Sequence, residues 1–135
     1  MIGLDTNILV RFFARDHPEQ VERADALLGG LTEEDPGFVS VVSLVELIWV
    51  LRKGHRYDRS TLAVLLQAMV DAPELVLEAD VAVAEATRRF ASGGPGFADH
   101  LLASLHRRAG VARSFSFDRA AAQQSGWSLV PELER

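Results

Sequence analysis

The pattern that most constrains this chain is an alternation of two kinds of segment. Short apolar, β-branched runs stand at 1–4, 37–42, 75–77, 111–116 and 128–130, each bounded by Gly, Pro, Asp or Ser. Runs of that length and content read as short buried strands. Between them apolar residues recur at helical spacing. Leu62, Leu65, Leu66, Met69 and Val70 make one face, and Ala98, Leu101, Leu102, Leu105 and Ala109 another. Val21, Ala24, Leu27 and Leu28 repeat the pattern behind Pro18, which suits a first turn. Segment 79–91 is helical by its Ala content and by Val83, Ala86 and Phe90. The gaps 6–28 and 43–72 are each too long for one helix and predict two.

Strands separated by helices predict a parallel sheet covered on both faces. The expected fold is therefore α/β: a three-layer sandwich with about five central parallel strands, in one domain over 1–135. Length and composition agree, since 135 residues with 48% hydrophobic and 24% charged content suit one ordinary globular core. The chain has no cysteine, which excludes a disulfide framework and a thiolate metal site. No apolar run approaches the ~18–20 residues of a membrane span. The opening residues also lack the basic stretch of a signal peptide. A cytoplasmic protein without membrane attachment is the expectation. Helix 43–53 is apolar nearly all round, through Leu44, Val45, Leu47, Ile48, Trp49, Val50 and Leu51. Such a helix is either buried or part of a homodimer contact.

Four carboxylates occupy equivalent places in this scheme. Asp5 ends the first strand, Glu46 falls in the first turn after the second, Asp99 opens helix 97–109, and Asp118 follows strand 111–116. In an open parallel sheet, strand C-termini and helix N-termini share the edge where ligands bind. Each acid also has a purely structural explanation. Asp5 and Asp118 could cap helices, Asp99 could complement a helix dipole, and Ser43-Leu44-Val45-Glu46 reads as a capping box. If the four converge they need a cation, because two unit charges 4 Å apart repel by ~4 kcal/mol at an effective dielectric of 20. All-oxygen donors select Mg2+ or Mn2+. Such ions assist hydrolysis of phosphodiester bonds.

The local sequences resemble a known family. Ile2-Gly3-Leu4-Asp5-Thr6-Asn7-Ile8-Leu9-Val10-Arg11 looks like the opening of a PIN domain, especially of the VapC-type toxins of bacterial toxin–antitoxin pairs. Ser43-Leu44-Val45-Glu46, Phe97-Ala98-Asp99-His100-Leu101-Leu102-Ala103 and Ser114-Phe115-Ser116-Phe117-Asp118-Arg119-Ala120 resemble its later motifs, in order and along the whole chain. The resemblance implies a Mg2+-dependent endoribonuclease with an acidic cluster of Asp5, Glu46, Asp99 and Asp118. By that analogy Asp5 and Asp99 hold the metal directly, Glu46 binds metal or orients the attacking water, and Asp118 completes the shell. Asn7, Ser116 and Thr6 match polar supporting positions, with Ser116 standing where the family more often has Thr. The resemblance also implies an RNA substrate and a cognate antitoxin protein.

The basic residues are 13 Arg and one Lys. Arg52, Lys53, Arg56 and Arg59 cluster with His55 and Tyr57, but Arg11 and Arg119 adjoin the acid-bearing turns and are the expected RNA contacts. His17, His55, His100 and His106 lack metal-ligand spacing and read as structural or surface residues. Removing the four site acids from 19 leaves 15 against 14 bases, so the net charge of −5 becomes −1. The acidic balance therefore does not exclude a nucleic-acid substrate. Other readings remain: a PIN nuclease of RNA processing, an inactive PIN-fold binding or dimerisation module, or phosphoryl transfer on an α/β sheet. The last wants a D-x-D pair or a placed Lys, whereas Asp5 precedes Thr6-Asn7 and Lys53 lies in a helix tail.

Overall fold

The computed structural model describes residues 1–134, and its order follows the predicted alternation. Strand β1 (Ile2–Gly3) leads into α1 (Thr6–Ala14) and α2 (Pro18–Gly29). Strand β2 (Gly37–Val39) leads into α3 (Val41–Gly54) and α4 (Arg59–Asp71). Strand β3 (Leu75–Leu77) precedes α5 (Asp80–Ser92) and α6 (Phe97–Arg108), and β4 (Ser114–Ser116), α7 (Arg119–Ala122) and β5 (Trp127–Leu129) complete the chain. Both long gaps hold helix pairs, as their lengths require.

All five strands form and every pairing is parallel, but they do not make one continuous sheet. β2 lies between β1 and β3, with Gly3 beside Phe38 and Val39 beside Leu77. β4 pairs with β5 as a separate two-stranded ladder. The break has a local cause. The amides of Ile2 and Leu4 donate to Pro36 and Phe38 on the β2 side. Successive residues of a strand in a parallel sheet point their polar groups to opposite sides. That leaves Gly3 alone to offer hydrogen bonds on the other side of β1, too few to zip a second ladder.

The core is built mainly by helices. Leu47, Leu51, Leu66, Val83 and Ala86 are fully enclosed, with Leu44, Leu62 and Leu101 nearly so. They form one cluster with Leu4 just beyond β1, Leu9 of α1, Val39 of β2 and Leu77 of β3. Glu85 ties α5 to α6, accepting from Ser104 Oγ at 2.9 Å and from Arg107, with Arg89 3.3 Å away. Burial alone would raise its pKa, yet the hydrogen bonds from Arg107 and Ser104 outweigh that and hold the carboxyl below its ordinary value.

Helix α3 departs from its sequence reading in two ways. It begins at Val41 rather than 43, so strand β2 stops three residues short of Val42. Nor is it buried all round: Leu44, Leu47, Ile48 and Leu51 enter the core, while Val42 and Trp49 are 73% and 62% exposed. Trp49 lies seven residues beyond Val42, two helical turns along the same face.

Candidate functional site

Parallel strands send their C-terminal ends to one edge, and the site residues follow from that. Asp5 stands two residues beyond β1, in register with Ser40 beyond β2. Its Oδ1 accepts from the Thr6 amide at 2.8 Å as the N-cap of α1. Asp118 caps α7 similarly: its Oδ1 accepts from Ala120 at 2.8 Å and Ala121 at 3.2 Å. The capping explanation thus holds for both. It consumes one oxygen of each, and Oδ2 has no protein partner among the described residues.

Capping does not explain the other two acids. With α3 starting at Val41, Glu46 sits in the second turn rather than the first, and the expected capping box does not form. The cap is Ser40, whose Oγ accepts from the Ser43 amide at 3.1 Å, and Glu78 Oε1 accepts from Val41 at 2.8 Å. Glu46 is left exposed with no hydrogen-bond duty among the described residues. Asp99 lies in the first turn of α6, where Gly96 provides the N-cap position without a side-chain bond. It is half-buried, and its pKa is raised, first by that burial and then by the charge of Asp118, against a smaller opposing effect of His100.

Asp99 and Asp118 are therefore electrostatically coupled, and they line one pocket of about 560 Å3. Trp49, Val45 and Ile48 of α3 form another wall, and Arg52 lies along it. Asp5 and Glu46 are outside this lining. Among the described residues no three Asp, Glu or His side chains stand close enough to enclose a metal ion by themselves. The remaining pair still suits Mg2+, which is commonly held by one or two carboxylates with water and substrate phosphate completing its shell. Two like charges beside each other, one partly desolvated, make a donor set that a divalent cation would relieve.

The supporting residues are distributed unevenly. Ser116 Oγ accepts from the Asp118 amide at 2.9 Å and so fixes the turn that presents Asp118. Thr6 is buried behind Asp5, whereas Asn7 faces a different groove with Arg11, Gln20 and Arg23. Arg11 is engaged there, its Nε donating to Gln20 at 2.6 Å and its Nη1 lying 3.3 Å from Asp16. Arg119 is exposed at the start of α7.

Arg59 has a role that sequence reasoning missed. It donates to four backbone carbonyls, those of Phe90, Gly93, Gly94 and Pro95, at 2.8–3.1 Å. Its guanidinium also lies 4.5 Å from the Phe90 ring centroid. The clamped loop is the one that launches α6 and hence Asp99. His100 holds the same loop, its Nε2 donating to Gly93 O at 2.8 Å. Gly93 and Gly94 adopt φ of 126° and 79°, the left-handed conformations that glycine accepts most readily. A side-chain carbon at Gly94 would also stand 3.1 Å from His100 Nε2. Nothing in the sequence marks Arg59 apart from its basic neighbours. Of those, His55 pairs with Asp16 at 2.9 Å and Tyr57 donates to Phe13 O at 3.1 Å. His100 is structural, as its lack of metal spacing suggests.

No curated protein matches the chain. A protein-family model described as "PIN domain" matches residues 2–126.

Proposed function

Because the chain belongs to the PIN domain family, we propose that it is a Mg2+-dependent endoribonuclease and the toxin of a toxin–antitoxin pair. PIN domains are typically nucleases acting on phosphodiester bonds, bind RNA and generally use divalent metals such as Mg2+. The observation that carries the proposal is the coupled Asp99–Asp118 pair beside an open pocket, with Asp99 held above its ordinary pKa by burial and its neighbour.

Asp99 and Asp118, which share the pocket, would hold the metal; Asp5, a direct ligand by the resemblance, would approach it with Glu46 through water. When bound, the ion supplies Lewis acidity toward a phosphoryl oxygen and lowers the pKa of water. Glu46, free of capping duty, accepts a hydrogen bond from the attacking water at its carboxylate and aims that water at phosphorus. Asp5 and Asp118 keep their free oxygens oriented because their other oxygens are tied to helix amides. Ser116 and Thr6 support those two turns, and Asn7 a flanking position. Arg119 directly follows Asp118 and contacts the RNA backbone beyond the pocket, and Arg11, in the last turn of α1, does so by exchanging its contacts with Gln20 and Asp16. The protein acts in the cytoplasm as a homodimer and is neutralised by its antitoxin. No helix among the described residues is long and apolar enough to cross a membrane.

The test is cleavage of labelled RNA with Mg2+, with Mn2+ and with chelator, by wild type and by Asp5→Asn, Glu46→Gln, Asp99→Asn and Asp118→Asn. Cleavage that needs the metal and fails in the carboxylate variants supports the reading; equal cleavage in all samples ends it. Growth arrest on expression, relieved by the product of an adjacent reading frame, tests the toxin role. Harmless expression of an active nuclease would point instead to RNA processing.

A further inference from the structure

Trp49 is a large aromatic left 62% exposed on a helix whose neighbouring Leu47, Ile48 and Leu51 are buried. It sits one turn beyond Glu46 and one turn before Lys53, on a single face. It also walls the pocket that Asp99 and Asp118 line. Arg52 lies beside it in that wall and reaches across to the start of α6, where a side-chain carbon on Gly96 would be 3.7 Å from its Nη1. Apart from the Asp99–Asp118 pair, the pocket's other charged groups are committed. Arg59 is spent on backbone carbonyls, and Asp58 caps α4 by accepting from the Thr61 amide at 2.8 Å. Arg52 has no ion pair or hydrogen bond among the described residues.

We infer that Trp49 and Arg52 form a subsite for one nucleotide of single-stranded RNA, the indole stacking on the base and the guanidinium binding an adjoining phosphate. This rests on the nuclease reading above and names two side chains that would seat the RNA beside the carboxylates. A pocket of about 560 Å3 falls within the size range of small-ligand sites and accommodates a nucleotide. Stacking needs a base whose face is uncovered, which paired A-form RNA does not offer and a single strand does. The free guanidinium supplies a bidentate phosphate contact. A single strand places a stackable base beside a phosphate at each nucleotide, and the exposed indole next to the unpaired Arg52 guanidinium matches that pairing of groups.

The experiment measures binding of a labelled single-stranded adenosine octamer and of its abasic ribose-phosphate counterpart to the full chain, in chelator so that no metal-dependent cleavage occurs. Trp49→Ala is expected to weaken the octamer by about 5- to 150-fold, the range for loss of one base–aromatic stack. Trp49→Phe restores most of the affinity, and the abasic strand is insensitive to both. Arg52→Ala weakens both strands alike and lowers the slope of log K against log salt by about 0.7, the value for one phosphate contact on a single strand. Unchanged octamer binding in Trp49→Ala, or an equal loss on the abasic strand, overturns the subsite. So does a Trp49→Ala chain that loses self-association while binding RNA normally, because the indole then serves a protein contact. Trp49-dependent binding by a wild-type protein that cleaves nothing with Mg2+ keeps the subsite and ends the nuclease reading. Metal-dependent cleavage with the same KM in wild type and Trp49→Ala does the reverse.

Discussion

Asp99 lies half-buried beside Asp118 in the first turn of α6, where burial and then its neighbour disfavour its charged form despite the helix dipole. That is a cost to the fold in the absence of a cation, and it makes function and stability pull in opposite directions at this residue. Asp99→Asn is expected to raise the melting temperature at neutral pH in chelator, because it removes a partly desolvated charge and its repulsion with Asp118. The same substitution should lower RNA cleavage by more than about 100-fold, since altering even a residue that only supports a metal ligand typically costs 10- to 100-fold. Thermal melts and cleavage assays on one preparation check both. At this scale the sequence was a good guide to residue type and a poor guide to duty. Ser43-Leu44-Val45-Glu46 matches a capping box in sequence, yet Ser40 takes the cap because α3 begins two residues earlier. A local pattern does not carry the phase of its own helix.

At the scale of elements, two contacts set where the site sits. Arg59, the first residue of α4, gathers the carbonyls of the loop before α6. Arg59→Lys replaces a planar fork by a single ammonium that cannot span four acceptors. A loss of ~1–3 kcal/mol is expected from the unsatisfied carbonyls. Faster hydrogen exchange over residues 93–100 and a reduced cleavage rate should accompany it. The second contact is Glu85 with Ser104 and Arg107, which joins α5 to α6. Its carboxyl pKa lies below the ordinary 4.5 in the folded chain. A depressed acid contributes stability that is fully present above the unfolded value and is lost as pH falls through the folded one. Denaturant titrations between pH 7 and pH 3 should therefore show part of the acid destabilisation disappearing in Glu85→Gln, which should itself cost ~1 kcal/mol at pH 7. The sequence periodicity announced α5 and α6 but contained no sign of either clasp, because each joins residues at least 19 apart.

For the whole molecule, the net charge of −5 and the coupled carboxylates lead to one expectation. Mg2+ should stabilise wild type with the logarithm of its concentration above Kd, by ~2.7 kcal/mol at a hundred times Kd, and should leave Asp99→Asn nearly unmoved. Melting curves across a Mg2+ titration read this directly; equal responses from both proteins would place the ion elsewhere. The alternation of β-branched runs and helical periods by itself determined the α/β class, the five strands, the paired helices in both long gaps and the sequence neighbourhoods of the four acids. Those features are local, written in burial periodicity and turn chemistry, so they survive without knowledge of the fold. Only the tertiary structure decided that the strands divide between β1 and β4, since that depends on which side Gly3 and its neighbours spend their amides. It alone joined Asp99 to Asp118, turned Arg59 inward while leaving Arg52 open, and left Trp49 uncovered beside the carboxylates. Those outcomes depend on the relative placement of helices far apart in sequence, and neither spacing nor composition encodes that placement in a form that can be read residue by residue.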